Sequence, residues 1–249
     1  DGNLWKWEYP DYQKGYLVVA DVARGDGADY STAHVIDVDQ SAQVAEYKGK
    51  LDTKDFGNFL VALATEYNQA LLVIENANIG WAVIQQVIDR GYSNLFYMSK
   101  DLKYVDVEHQ LHNKYRAEER GMVAGFSTTQ KTRPLIVSKM EQYIREKDVT
   151  IRSTRLIDEL FTFICSGNRA EAMRGYNDDL IMAFAIGLWV RDTALRLRQE
   201  GIDLTKQAIG SIGQSSLDLG GFGGNSFNDE NPWKMQVGDR NEDLTWLLK

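Results

Sequence analysis

Cysteine is almost missing from this chain: its 249 residues hold one, Cys165, which excludes an internal disulfide and a thiolate zinc cage. That cysteine falls on the apolar side of a segment expected to be helical, which assigns it to the core. Histidine is nearly as scarce. His34, His109 and His112 leave little material for a zinc site or a Ser-His-Asp triad, and the last two sit in a charged stretch suited to the surface. No apolar run is long enough to form a membrane span or a signal peptide; Tyr16 to Ala20, the longest near the start, is far too short. No Gly-x-x-x-x-Gly-Lys-Ser/Thr occurs, so the chain is not a nucleotide-driven motor by itself. The stretch Gly220 to Gly224 lacks the lysine and the strand-to-helix context of such a loop. Asp26 and Asp29 miss the alternate-position spacing of a calcium-binding EF-hand.

Positive charge is also in deficit. Lys and Arg number 28 against 36 Asp and Glu, a net charge of -8, which argues at first against a nucleic-acid partner. The deficit is uneven. Residues 1–89 carry 6 basic and 14 acidic side chains, residues 90–174 carry 15 and 11, and residues 175–249 carry 7 and 11. The middle third is therefore locally basic, and a local basic surface is what a phosphate backbone requires. The remainder is ordinary: 43% apolar residues and this length suffice for a real core in one large domain or two small ones.

Tyr16 to Asp21 is a short apolar run ending in an acid, the pattern of a buried strand. A turn-rich loop over 22–31 follows, then strands at Ala33 to Val38 and Gln43 to Lys48 around an Asp39-Gln40-Ser41 turn. From Thr53 the spacing of Phe56, Phe59, Leu60, Leu63, Ala64 and Tyr67 predicts an amphipathic helix, with Thr53 or Asp55 as its cap. Leu71 to Glu75 is another strand ending in an acid. Ala82 to Ile88 is a helix stopping near Gly91, and Leu95 to Met98 a further strand. Residues 99–133 have no clean period. Pro134 suits the first position of a helix through Ile144, Val149 to Ile151 reads as a short strand, and Leu156 to Ile164 as a helix. Asp178-Asp179 opens a long apolar helix to about Leu197. This order predicts an α/β fold: a mixed sheet with an antiparallel hairpin edge plus parallel strands, flanked by helices over residues 1–200. Residues 201–249 read as a Gly/Ser-rich arm or tail.

Three acids stand in comparable places: Asp21 and Glu75 at strand ends, and Asp179, beside Asp178, at a helix start. If the two strands are parallel neighbours, their acids share one sheet edge, and a helix packed across the sheet brings Asp179 to them. Converging carboxylates repel unless divalent cations neutralise them, and Mg²⁺ or Mn²⁺ pairs on carboxylate oxygens serve phosphodiester displacement. A blander reading makes Asp21 a turn residue and one of Asp178 and Asp179 a helix cap.

The stretches Asp21-Val22-Ala23-Arg24-Gly25 to Asp29-Tyr30-Ser31, Val73-Ile74-Glu75-Asn76 and Gly175-Tyr176-Asn177-Asp178-Asp179-Leu180-Ile181-Met182-Ala183 resemble the three acidic motifs of the tailed-bacteriophage large terminase nuclease domain. The resemblance runs in order over about residues 10–195. It implies a ribonuclease H-like fold of the resolvase-like superfamily and an Mg²⁺- or Mn²⁺-dependent endonuclease that cuts concatemeric double-stranded DNA with two ions. Carried onto this chain, the metal-binding acids are Asp21, Glu75 and Asp179, with Asp21 bridging both ions and Asp178 and Asp29 as auxiliary acids. Many relatives carry histidine where this chain has Asn177. The resemblance also implies a packaging ATPase domain N-terminal to this segment, portal and small-subunit partners, and a site of action in the host cytoplasm without a membrane. It gives the basic middle third a use: Lys100, Lys103, Lys114, Arg116, Lys131, Arg133 and Lys139 become candidates to hold DNA phosphates. Two other readings keep the same residues: a DNA- or portal-docking module with restrained catalysis, and a junction resolvase.

Overall fold

The computed structural model describes residues 2–23, 30–77, 79–99, 121–166, 169–192, 195, 234–237 and 240–243. Two units are distinguished, 1–200 and 201–249. In the second, the described residues form one antiparallel hairpin, β10 (Lys234–Val237) with β11 (Arg240–Asp243).

The first unit is built on a five-stranded mixed sheet in the order β1-β4-β3-β2-β5. Its strands are β1 (Leu4–Lys6), β2 (Tyr16–Asp21), β3 (Ser31–Asp37), β4 (Ala42–Gly49) and β5 (Leu71–Ile74). The meander β2-β3-β4 and the edge strand β1 are antiparallel, whereas β5 runs parallel to β2. The return to a parallel neighbour needs a crossover, supplied by helix α1 (Thr53–Glu66). Asp52, rather than Thr53 or Asp55, caps it, accepting from the Asp55 amide at 2.9 Å.

Both faces of the sheet are buried, and β2 shows how. Tyr16, Val18 and Ala20 face one apolar cluster with α1 and α2 (Gly80–Asp89), while Leu17 and Val19 face another. This period of two assigns each residue to a face by its position alone. The second cluster is covered by α3 (Thr132–Glu146), by Leu156 from α4 (Thr154–Phe161), and by α5 over 179–192. The side chains of Leu180, Phe184 and Leu188 on α5 are fully buried. At Gly187 a Cβ would run into Val19 and Ile36, so the missing side chain is what lets α5 lie close on the sheet.

Several expectations shift. Helix α3 begins at Thr132, two residues before Pro134, because the Thr132 hydroxyl donates to the Ser127 carbonyl and anchors the start. Val149 to Ile151 is not a strand; Thr150 makes a single bridge to Ala42. The helix at 156 stops at Phe161, and Ile164 and Cys165 lie in a hairpin, β8 (Phe163–Ser166) with β9 (Arg169–Ala172). The strand expected at 95–98 is β6 (Tyr97–Ser99), paired with β7 (Met122–Ala124). Among the described residues no helix is long and apolar enough to cross a membrane.

Candidate active site

Asp21 follows Leu17 and Val19 on β2, and Glu75 follows Val73 just beyond β5. The register Ala20↔Ile74 makes these acids next neighbours across a parallel pair, and the Glu75 amide donates to the Ala20 carbonyl at 2.9 Å. By alternation both side chains emerge on the face that carries α5. The backbone of Glu75 is held from both sides by glycines. A Cβ at Gly80, which opens α2, would collide with the Glu75 carbonyl; one at Gly125 would collide with the Ile74 carbonyl. Gly125 also has φ +80°, a conformation that glycine adopts without steric cost.

The start of α5 is stitched to the same face. The Thr32 hydroxyl donates to the Asp179 carbonyl at 3.1 Å, and His34 Nε2 meets the Leu180 carbonyl at 2.9 Å. Register pairs Thr32 with Asp21 and His34 with Val19, so both sit where alternation requires. The Asp179 carboxylate accepts from the Tyr30 amide at 3.1 Å and from Asn177 Nδ2 at 3.3 Å.

The electrostatics follow from this geometry. Burial of the Asp21 carboxyl pushes its pKa well above the usual carboxylate range; the charge and hydrogen bond of Glu75 and the charge of Asp179 push it the same way, opposed by the Val22 amide. Ionised together, such acids call for a hard cation with oxygen preference, and their donor set suits Mg²⁺ or Mn²⁺. Among the described residues, no group of three or more His, Cys, Asp or Glu side chains is placed to hold a metal ion.

The auxiliary acids behave differently. Asp178 pairs with the Arg133 guanidinium, whose Nε also donates to the Ala170 carbonyl at 3.1 Å. Asp29 lies outside the described residues, as do Lys100, Lys103, Lys114 and Arg116. Of the other basic candidates, Lys131 is exposed at the start of α3, on the end of the molecule that carries Asp178. Lys139 pairs with Asp192 at 2.6 Å and lines a cleft of about 550 Å³ with Asp39 and Ser41, beyond the far end of β3. Arg152 and Arg155 are tied to Glu8 and Glu46, so much of the described basic excess is spent in ion pairs.

Sequence reasoning missed the supporting residues. Lys48 and Lys50 lie over the Tyr30 ring, 5.2 and 4.9 Å from its centroid, beside a cleft of about 440 Å³ that reaches Asn177 and Glu159. Asn76 Oδ1 accepts from the Ser127 hydroxyl at 2.9 Å, tying the residue after Glu75 to the turn before α3. The available signal was alternation: Lys48 sits opposite Thr32, which sits opposite Asp21.

No family model matches the sequence. Among solved structures, the large terminase nuclease from thermophilic phage G20c with bound magnesium superposes with a TM-score of 0.57 at 17% identity, covering 76% of this chain and 87% of that one. The same nuclease with bound cobalt gives the same values. The large terminase nuclease domain of Thermus phage P74-26 gives a TM-score of 0.51 at 18% identity, covering 75% and 85%. The chain has the terminase-nuclease fold. Within that fold, Asp21 and Glu75 occupy adjacent strand ends of the central sheet, and Asp179 opens the helix packed across it.

Proposed function

We propose that this chain is the metal-dependent endonuclease domain of a viral DNA-packaging terminase, hydrolysing phosphodiester bonds of concatemeric double-stranded DNA with two divalent ions. The observation that supports this reading is that Asp21 and Glu75 stand at adjacent strand ends with the charge of Asp179 acting on Asp21, in a fold similar to nucleases solved with bound magnesium and cobalt. In it, Asp21, Glu75 and Asp179 would hold the ions, and the carboxylates would need no positive side chain once cations were bound. Mg²⁺ or Mn²⁺ held there would activate the attacking water and stabilise the leaving oxygen. Asp178, held by Arg133, orients the start of α5; Asp29 remains a candidate auxiliary acid. Lys131 and Arg133 at the start of α3, with Lys100, Lys103, Lys114 and Arg116, are candidates to hold the duplex by its phosphates. Lys139 is a candidate of the same kind, and here it pairs with Asp192 beyond the opposite end of β3.

In the intact protein this domain would follow a packaging ATPase domain, act on the procapsid in the host cytoplasm, and meet portal and small-subunit partners. The test is cleavage of supercoiled plasmid with Mg²⁺, Mn²⁺ or EDTA. Cutting should require metal and fall at least a hundredfold in Asp21→Asn and Asp179→Asn. Cutting that persists in EDTA, or is untouched by either substitution, would sink the two-ion assignment. A preference for four-way junctions over linear duplex would move the fold to a resolvase, and salt-sensitive binding without cleavage would leave a docking module.

A further inference from the structure

Helix α5 begins in an unusual way. The side chain at the position preceding a helix normally takes the amides two and three places on. Here that position is Asp178, whose carbonyl accepts from Met182 N at 2.8 Å, and the amides are those of Leu180 and Ile181. Yet the Asp178 carboxylate pairs with Arg133. The amides go instead to Glu159 of α4, whose Oε2 accepts from Leu180 N at 3.0 Å and Ile181 N at 3.4 Å. Its other oxygen, Oε1, accepts from Lys48 Nζ on β4 at 2.6 Å. Glu159 is only 8% exposed, so this borrowed cap is buried and its charge is matched by a single lysine.

The consequence falls on Asp179. An acid in the first turn of a helix is ordinarily drawn back toward its own unpaired amides and the positive end of the helix. With Glu159 supplying the negative charge there, the Asp179 carboxylate is turned instead to the Tyr30 amide and Asn177, within the field felt by Asp21. We infer that Glu159, neutralised by Lys48, is a positioning residue: it takes over the capping of α5 so that Asp179 faces Asp21 and Glu75. The inference rests on the metal-site reading above and deepens it.

The experiment is Mn²⁺ titration of the full chain, followed by water-proton relaxation, with amide hydrogen exchange at Leu180 and Ile181 measured metal-free. Glu159→Ala should weaken Mn²⁺ about tenfold and speed exchange at both amides. Glu159→Gln, which keeps one acceptor oxygen, should recover part of each. On plasmid DNA, Glu159→Gln should lower kcat at least tenfold with KM within twofold. Asp52→Ala, which removes the cap of α1, controls for general destabilisation: it should lower Tm without moving Mn²⁺ affinity. Glu159→Ala binding Mn²⁺ like the parent, while Asp179→Asn does not, would overturn the inference; so would equal losses in Glu159→Ala and Asp52→Ala. If Asp179→Asn leaves Mn²⁺ affinity unchanged, the metal-site reading falls by itself. The capping role is then decided by exchange, and unchanged protection at Leu180 and Ile181 in Glu159→Ala would remove it too.

Discussion

His34 illustrates how much a single buried side chain carries here. It is fully buried, with Nε2 on the Leu180 carbonyl and Nδ1 2.9 Å from Gln43 Nε2. The Gln43 amide donates to Nδ1, so the imidazole is neutral and donates from Nε2 to Leu180. Burial pulls its pKa below the usual histidine value, with Glu46 pulling the other way. A depressed histidine binds fewer protons folded than unfolded, so its stabilising contribution is present above about pH 6.5 and is lost as pH falls through the folded value. In chemical denaturation between pH 7.5 and 5 the His34 contribution should therefore fall with pH, against the opposite trend set by Asp21, and His34→Gln, which cannot protonate, should change the slope of stability against pH by removing that contribution. An unchanged slope would take His34 out of the account.

At the scale of elements, the approach of β5, α2 and the 125 turn decides where Glu75 stands. Gly125 is the test position, because its φ of +80° and its contact with the Ile74 carbonyl both oppose a side chain. Gly125→Ala should cost about 1–3 kcal/mol from backbone strain, and the steric contact adds to it. The contact acts at the residue before Glu75, so metal affinity should drop with stability. Urea unfolding and Mn²⁺ titration of the same variant check both, and a stability loss with full metal affinity would limit Gly125 to folding.

For the whole molecule, the acid cluster sets a linkage between pH, metal and stability. Asp21 has a raised pKa when folded, so the folded chain binds more protons than the unfolded one. The metal-free chain is relieved of this cost at acid pH and loses stability as pH rises through the folded value. On the metal-site reading proposed above, a divalent ion bound to the folded state would offset the loss, by about 2.7 kcal/mol at a concentration one hundred times Kd. Thermal unfolding at pH 7.5 should show Tm rising with Mg²⁺ in the parent. Asp21→Asn should raise Tm in EDTA and abolish the response to Mg²⁺. A lower metal-free Tm in Asp21→Asn would show that the carboxylates do not oppose one another.

Strand and helix positions were largely legible because buried faces impose periods of two and of three to four, as in Tyr16–Asp21 and in Phe56 to Leu63. The elements that escaped are short or paired at a distance: β1, β7 and the β8-β9 hairpin, whose residues carry too few positions for a period to show. The acids Asp21, Glu75 and Asp179 stood out because a carboxylate closing an apolar run has few bland uses. What the sequence alone determined is therefore the order of the longer strands and helices and the sheet face on which Asp21 and Glu75 emerge, which follow from local alternation and burial. Tertiary structure alone decided the partners: Asp178 to Arg133, Lys139 to Asp192, and Glu159 to the amides of α5. Those pairings join residues 21 to 53 positions apart, and no local spacing rule encodes which buried charge will meet which donor once the layers have packed.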